Sequence, residues 1–246
     1  MVILSSNPES VKVTIPEGFT TLQIAERLKA NNICSQEEFL NAVQSTDLSS
    51  YEFVKTHEKR DYRLDGYLYP DTYEFEIGSK PETVIYKMLN RFNEMYKPDY
   101  FNKASEIGLT QDEVVILASI VEKEAQLPSE RAKIAGVFMN RLNSSSLTKL
   151  QSCATVKYVH KKIKNTTLTN VTKADTELVD SYNTYLYDGL PPGPICSPSI
   201  ASIEAVLNYE HHDYYYFVAK VDENGDPTGS HIFSRTYAEH LAANGF

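Results

Sequence analysis

Apolar and polar positions alternate over residues 11–15, a two-residue period that predicts a short strand, and Pro16-Glu17-Gly18 ends it. The period then lengthens. Leu22, Ile24, Ala25, Leu28 and Ile33 form one helical face behind Thr20 and Gln23, which have capping-box spacing. Ser35 with Glu38 repeats that signature and opens a second short helix through Phe39, Leu40 and Val43. Over residues 62–75, Gly66 and Pro70 stand too close for a regular element, so this stretch reads as a turn-rich aromatic linker with short extended pieces. Pro81 starts a helix carrying Val84, Ile85, Met88, Leu89 and Phe92, which ends before Pro98.

Thr110 with Glu113 is a third capping box, and it opens the most apolar helix of the chain, running from Val114 to Ala125. A further helix follows Pro128 through Ile134, Val137, Phe138 and Leu142, and a Ser-, Thr- and Asn-rich stretch follows Asn143. Gly189-Leu190-Pro191-Pro192-Gly193-Pro194 is a shaped loop, because three prolines lack backbone donors and fix φ. Ser197-Pro198 caps a helix through Ile203, Ala205, Val206 and Leu207. Residues 214–221 and 232–234 are strands of a hairpin turning over Asn224-Gly225-Asp226-Pro227-Thr228-Gly229, and a last helix begins at Thr236. The pattern is α+β: a βαα unit over 9–47, an aromatic linker and connecting helix over 48–108, and a mixed helix and sheet domain over 109–246.

A chain of 246 residues can bury a sizeable core. Its net charge of -9 leaves no basic surplus to displace counterions from a phosphate backbone, which argues against nucleic acid as a partner. Cys34, Cys153 and Cys196 have no metal-ligand spacing and form no disulfide framework, so neither metal nor cofactor is called for. The opening residues 1–7 are too short an apolar run for a signal segment, and no transmembrane run is present. The chain therefore reads as cytosolic or as a soluble piece of something longer.

The candidate chemistry lies where that apolar helix ends, in Glu122 and Glu124. A carboxylate carried into apolar surroundings is either paired or held protonated, and a protonated carboxylic acid is what glycosidic cleavage needs. At 100° per residue, Val114, Leu117, Ala118, Val121 and Ala125 share one stripe; Glu124 projects about 60° from Val121, which makes it the more embedded carboxylate, and Glu122 lies on the opposite flank. Residues two apart on a helix diverge by about 200°, so the pair cannot flank one bond as an ordinary glycosidase acid and base. The structural alternative is a helix-end glutamate paired with Lys123, Arg131 or Lys133.

The run Leu117-Ala118-Ser119-Ile120-Val121-Glu122-Lys123-Glu124-Ala125 is followed by Ser129-Glu130-Arg131, Val137-Phe138-Met139-Asn140-Arg141-Leu142 and Leu150-Gln151-Ser152. Further blocks are Tyr182-Asn183-Thr184-Tyr185, the Pro-rich loop, Ala201-Ser202-Ile203-Glu204-Ala205 and His231-Ile232-Phe233-Ser234, with Asp65-Gly66-Tyr67-Leu68-Tyr69-Pro70-Asp71 upstream. In this order the chain resembles the endolytic murein transglycosylase, or YceG-like, family over nearly its whole length.

The resemblance implies an enzyme anchored by a single N-terminal span at the extracytoplasmic face of the cell membrane, of which this chain is a soluble fragment. It would cut the β-1,4 bond between N-acetylmuramic acid and N-acetylglucosamine within peptidoglycan glycan strands without water, leaving a 1,6-anhydro end. Wall synthases and divisome or elongation proteins are its implied partners. Position assigns the acid and base to Glu124 and a supporting role to Glu122. Gln151, Ser152, Asn140, Tyr182, Asn183, His231 and Ser234 become candidate substrate contacts, whereas Arg141 is expected to be structural and His211 and His212 solvated. The βαα unit resembles a LysM fold lacking its last strand, which the aromatic linker could supply. One departure is clear: Cys153-Ala154 stands where the family commonly has Asp-Pro, so this chain lacks that acidic group. Two other readings are a non-catalytic peptidoglycan-binding scaffold and a hydrolase in which Asp65, Asp71 or Asp175 holds a water.

Overall fold

A computed structural model describes residues 9–54 and 60–243; the opening residues read for a signal segment lie outside them. The first strand, β1 (Ser10–Thr14), leads into α1 (Thr21–Ala30) and α2 (Gln36–Ser45). Both helices start at the capping boxes the sequence announces, Thr20 with Gln23 and Ser35 with Glu38. A 3-10 turn (Glu52–Val54) precedes β2 (Thr72–Glu76), which pairs antiparallel with β1 from Ser10 opposite Glu76 to Thr14 opposite Thr72. The aromatic linker thus supplies the strand that completes a strand-helix-helix-strand unit. Tyr73 and Phe75 point inward on β2 while their neighbours face out, the two-residue period of a half-buried strand.

Next come α3 (Pro81–Met95), α4 (Pro98–Glu106) and α5 (Gln111–Glu124). The sequence reading stopped at Pro98, whereas the structure places that proline at the first position of α4, where a missing N–H costs nothing. After a 3-10 turn (Pro128–Glu130) run α6 (Arg131–Leu142), α7 (Cys153–Lys164) and the single turn α8 (Lys173–Thr176). Helix α7 replaces the irregular stretch expected after Asn143. Ser152 caps its start, three lysines complement the dipole of its last turn, and Asn165 closes it in the left-handed conformation.

Helix α9 (Ile200–Leu207) begins at Ser199, two residues later than Ser197, since it is the Ser199 hydroxyl that reaches the Ser202 N–H. Strands β3 (Tyr216–Val221) and β4 (Pro227–Ser234) form the expected hairpin, with an irregularity between Ala219 and Val221, and α10 (Tyr237–Ala243) packs on both. No helix among the described residues is long and apolar enough to cross a membrane.

Helix α5 is the centre of the molecule. Every residue from Val114 to Val121 is buried, Ser119 included, so the helix is buried on all sides and not along the single stripe of the sequence reading. Helices α4, α6, α7 and α9 enclose it, and one hydrophobic cluster joins it to Val13, Ile24, Leu28 and Phe39 of the N-terminal unit. Gly66 shows how closely the linker approaches this helix. Its φ is +88°, and an added Cβ would lie 2.5 Å from Pro194 and 3.0 Å from Val115. Gly66→Ala therefore meets both backbone strain and overlap, and is expected to lower stability by about 2–3 kcal/mol in urea unfolding, with the urea dependence unchanged.

Candidate active site

Glu124 is the last residue of α5, and the chain turns away at Ala125. Its Oε1 accepts the Ser152 hydroxyl at 2.5 Å and the Ala154 N–H at 3.1 Å. Both donors belong to the N-terminus of α7, whose exposed amides favour an oxygen ligand. Among the described residues, Oε2 accepts no hydrogen bond and no cation forms an ion pair with Glu124. One oxygen is anchored and the other has no protein partner among these residues.

Ser152 is itself held from behind. Its N–H donates to Thr184 Oγ1 at 3.0 Å, its carbonyl accepts the Thr155 hydroxyl at 2.8 Å, and the two threonine hydroxyls meet at 2.8 Å. Gln151 takes a left-handed φ of 48° with its N–H on the Thr184 carbonyl, which turns the chain into α7. Ser152, expected to contact substrate, is instead buried and positions Glu124. Gln151 is exposed beside it, its Oε1 receiving a long 3.5 Å bond from Arg141.

Glu122 has a different environment. Its Oε2 accepts the Ser199 N–H at 3.0 Å, the Ser199 hydroxyl at 2.5 Å and the Ser202 hydroxyl at 2.6 Å, while Oε1 lies 3.7 Å from the Arg131 guanidinium. Its side chain is 9% exposed and that of Arg131 17%. Glu122 thus has more polar partners than Glu124, which the helical wheel alone does not show. Both residues are partly exposed, but Glu122 closes the N-terminus of α9 and holds the cation, because α9 packs along the α5 flank that Glu122 faces. Glu17 shares this neighbourhood: burial first, then the charge of Glu122, raises its carboxyl above the usual value, and Arg131 pulls it back.

Most of the other predicted contacts are engaged with groups of the protein itself. Asn140 donates to the carbonyls of His212 and Tyr214 at 2.8 and 2.9 Å, tying α6 to the segment before β3. Asn183 is 0% exposed and fully engaged, donating to the Thr176 and Leu178 carbonyls and accepting from the Tyr185 N–H. Tyr182 is buried against Tyr158, and Ser234 is buried opposite Tyr216 in the hairpin. His231, 6% exposed at its side chain, binds Glu130 through both its N–H and Nδ1, the latter at 2.7 Å. This bond leans the β3–β4 hairpin on the turn that follows Glu124.

Arg141 is structural as expected, donating to the carbonyls of Tyr215 and Leu150 at 2.7 Å each. His212 is not solvated, unlike exposed His211. Its Nδ1 accepts the Tyr214 N–H, which leaves Nε2 to donate to the Lys133 carbonyl at 2.9 Å.

Tyr185 was missed. Its hydroxyl lies 3.4 Å from Cys153 Sγ, and its ionisation is pushed up by burial first, then by Cys153 and the negative charge of Glu124, against a smaller opposing effect of Arg141. It is thus a half-buried hydroxyl within the field of the candidate acid. Its only sequence signal is its place two residues after Asn183 in the Tyr182–Tyr185 block, and an aromatic in a turn does not show which way it faces.

The three aspartates considered for a hydrolase are committed elsewhere. Asp65 is buried between the Thr21 N–H and the Tyr158 hydroxyl, and burial raises its carboxyl against these donors. Asp71 binds Arg91 at 2.7 Å, and Asp175 caps α8 through Thr172.

Fold and site together define an α+β protein that presents one helix-end glutamate, anchored on one oxygen, beside an exposed amide and a tyrosine hydroxyl. The chain belongs to the YceG-like family, whose model matches residues 1–245. It is 35% identical over 232 residues to the endolytic murein transglycosylase of Streptococcus pneumoniae serotype 2 (strain D39 / NCTC 7466), covering 88% of this chain and 42% of that protein. It is 31% identical over 242 residues to the endolytic murein transglycosylase of Bacillus subtilis (strain 168), covering 94% and 64%. The crystal structure of a yceG-like protein from Listeria monocytogenes superposes with a TM-score of 0.81 at 32% identity, covering 94% of this chain and 75% of that one. The chain thus spans well under two thirds of the pneumococcal relative and just under two thirds of the Bacillus one.

Proposed function

We propose that this protein is an endolytic lytic transglycosylase of peptidoglycan, with Glu124 as its one acid and base. The observation that carries the reading is the asymmetry of Glu124: Oε1 is fixed by Ser152 and Ala154, while Oε2 has no protein partner among the described residues. A proton on Oε2 passes to the glycosidic oxygen that joins muramyl C1 to the next sugar, and the C1–O bond breaks. The carboxylate then takes the proton of the muramyl C6 hydroxyl as that oxygen bonds to C1, closing the 1,6-anhydro ring. Glu124 ends as it began, and no water is consumed.

Because the nucleophile belongs to the substrate, no second carboxylate is needed, and Asp65, Asp71 and Asp175 have other duties. Gln151 and Tyr185 are the groups to orient the N-acetyl and hydroxyl substituents. The names of the pneumococcal and Bacillus relatives agree with this activity. The same kinship supports a full-length protein with one membrane span, working at the outer face of the membrane beside wall synthases and divisome or elongation proteins. The LysM-like unit buttresses the catalytic part: its turn at Gly18 and Phe19 exchanges backbone bonds with Ser197, and Lys123 reaches the Gly18 carbonyl.

Mass spectrometry of the products tests the chemistry. The expected fragments from uncrosslinked glycan carry 1,6-anhydro-muramyl ends. Reducing muramic acid ends, heavier by one water, would instead establish hydrolysis, and intact strands would favour a binding scaffold.

A further inference from the structure

A half-open cavity of about 430 Å³ lies at the other end of α5, bounded by the 3-10 turn at Glu52–Val54, α3, α4 and the start of α5. Tyr51, Phe53 and Phe101 contribute rings to its wall, and Asn90, Asn93 and Gln111 contribute amides. The rings are pinned. Tyr51 stacks on Tyr86, Phe53 packs on Tyr67 and Phe92, and Phe101, 48% exposed, stands edge-on to Tyr96 with centroids 5.2 Å apart. Asn90 and Asn93 are three apart on α3, hence on one face, and both are exposed. The Tyr51 hydroxyl donates to Asn90 Oδ1 at 2.7 Å, which orients that amide and leaves its nitrogen for another acceptor.

Glu52 also lines the cavity and no lysine or arginine is among its described lining residues, so the wall as described does not favour an anion. Flat apolar rings beside amides, the Ser50 hydroxyl and the Glu52 carboxylate suit an uncharged, ring-shaped ligand bearing hydroxyl and amide groups. Gln111 and Glu124 are 13 residues apart on one straight helix, which puts the cavity about 20 Å from the candidate acid. The Pro-rich loop bridges the interval. It bonds Thr148 at Gly189, close to Gln151, and then meets Arg60 at Pro192, where Arg60 pairs with Asp112 beside Gln111.

We propose that this cavity is a distal saccharide subsite that grips an N-acetylhexosamine unit of the glycan strand several sugars away from the bond cleaved at Glu124. The assignment rests on the transglycosylase reading for its ligand class, but it is tested by binding. The probe is the β-1,4-linked tetramer of N-acetylglucosamine, titrated into the full chain while side-chain amide resonances are followed by NMR. The amides of Asn90, Asn93 and Gln111 are expected to shift, and Phe101→Ala is expected to weaken the binding that moves them roughly tenfold. Asn93→Ala, an exposed helical change that favours folding, serves as a second variant and is expected to weaken it as well. Both variants are expected to cut short glycans as the unaltered chain does and to lose efficiency only on long strands.

Shifts confined to the surroundings of Glu124, or binding unchanged in both variants, would overturn the subsite. If the tetramer shifts these amides but glycan strands yield no anhydro ends, the subsite stands and the transglycosylase reading fails. Anhydro ends formed with no shift at these amides would have the opposite meaning.

Discussion

Glu124→Gln is expected to lower kcat on uncrosslinked glycan by about 10²–10⁴ while leaving the melting temperature nearly unchanged. The two halves of this result have separate causes. Glutamine keeps an oxygen where Oε1 accepts from Ser152 and Ala154, so the junction between α5 and α7 persists. What disappears is the proton on the other oxygen, and with it both the acid and base steps. Because no cation is paired with Glu124 among the described residues, neutralising it leaves no buried charge unmatched. Quantifying anhydro-muramyl ends over time, alongside a thermal melt, checks the prediction. Undiminished product formation would remove Glu124 from the chemistry, and a large fall in melting temperature would make it a structural residue.

Glu122→Ala should give the reverse signature, a loss of about 3 kcal/mol in denaturant unfolding. The substitution strips the acceptor from one N–H and two hydroxyls at the start of α9, and leaves the largely buried Arg131 without the carboxylate it faces. Glu122→Gln restores an acceptor for the serines but not the charge, and is expected to recover part of the loss. If Glu122→Ala were as stable as the unaltered protein while activity vanished, Glu122 rather than Glu124 would be the group to examine as the acid. The two glutamates are thus separable in one pair of experiments, although they stand two residues apart.

What the sequence made legible was whatever local chemistry decides. Thr20 with Gln23, Ser35 with Glu38 and Thr110 with Glu113 form the capping boxes their spacing announces, because both partners lie within one turn. The β3–β4 hairpin and the helix ending at Glu124 were legible for the same reason. The partners of the site were not. Ser152 is 28 residues from Glu124 in sequence, and Ser199 is 77 from Glu122, so nothing in either neighbourhood tells an acid-positioning serine from a substrate contact. Strand β2 was legible only as an extended piece after Pro70, because its partner β1 lies about 60 residues earlier in the chain. The family resemblance supplied the blocks but not their directions, which is how Tyr185 passed unnoticed while its buried neighbours Tyr182 and Asn183 were taken for cleft residues.

The enclosure of α5 has a dynamic consequence. The buried turns of α5 can part from α4, α6, α7 and α9 only with much of the fold, whereas Glu124 at the helix end is held by Ser152 and Ala154. The β3–β4 hairpin, exposed from Ala219 to Thr228, belongs to the low-stability end of the same molecule. Glu124 therefore stands between a densely packed side, α5 with its neighbours, and a hairpin whose tip lies open to solvent.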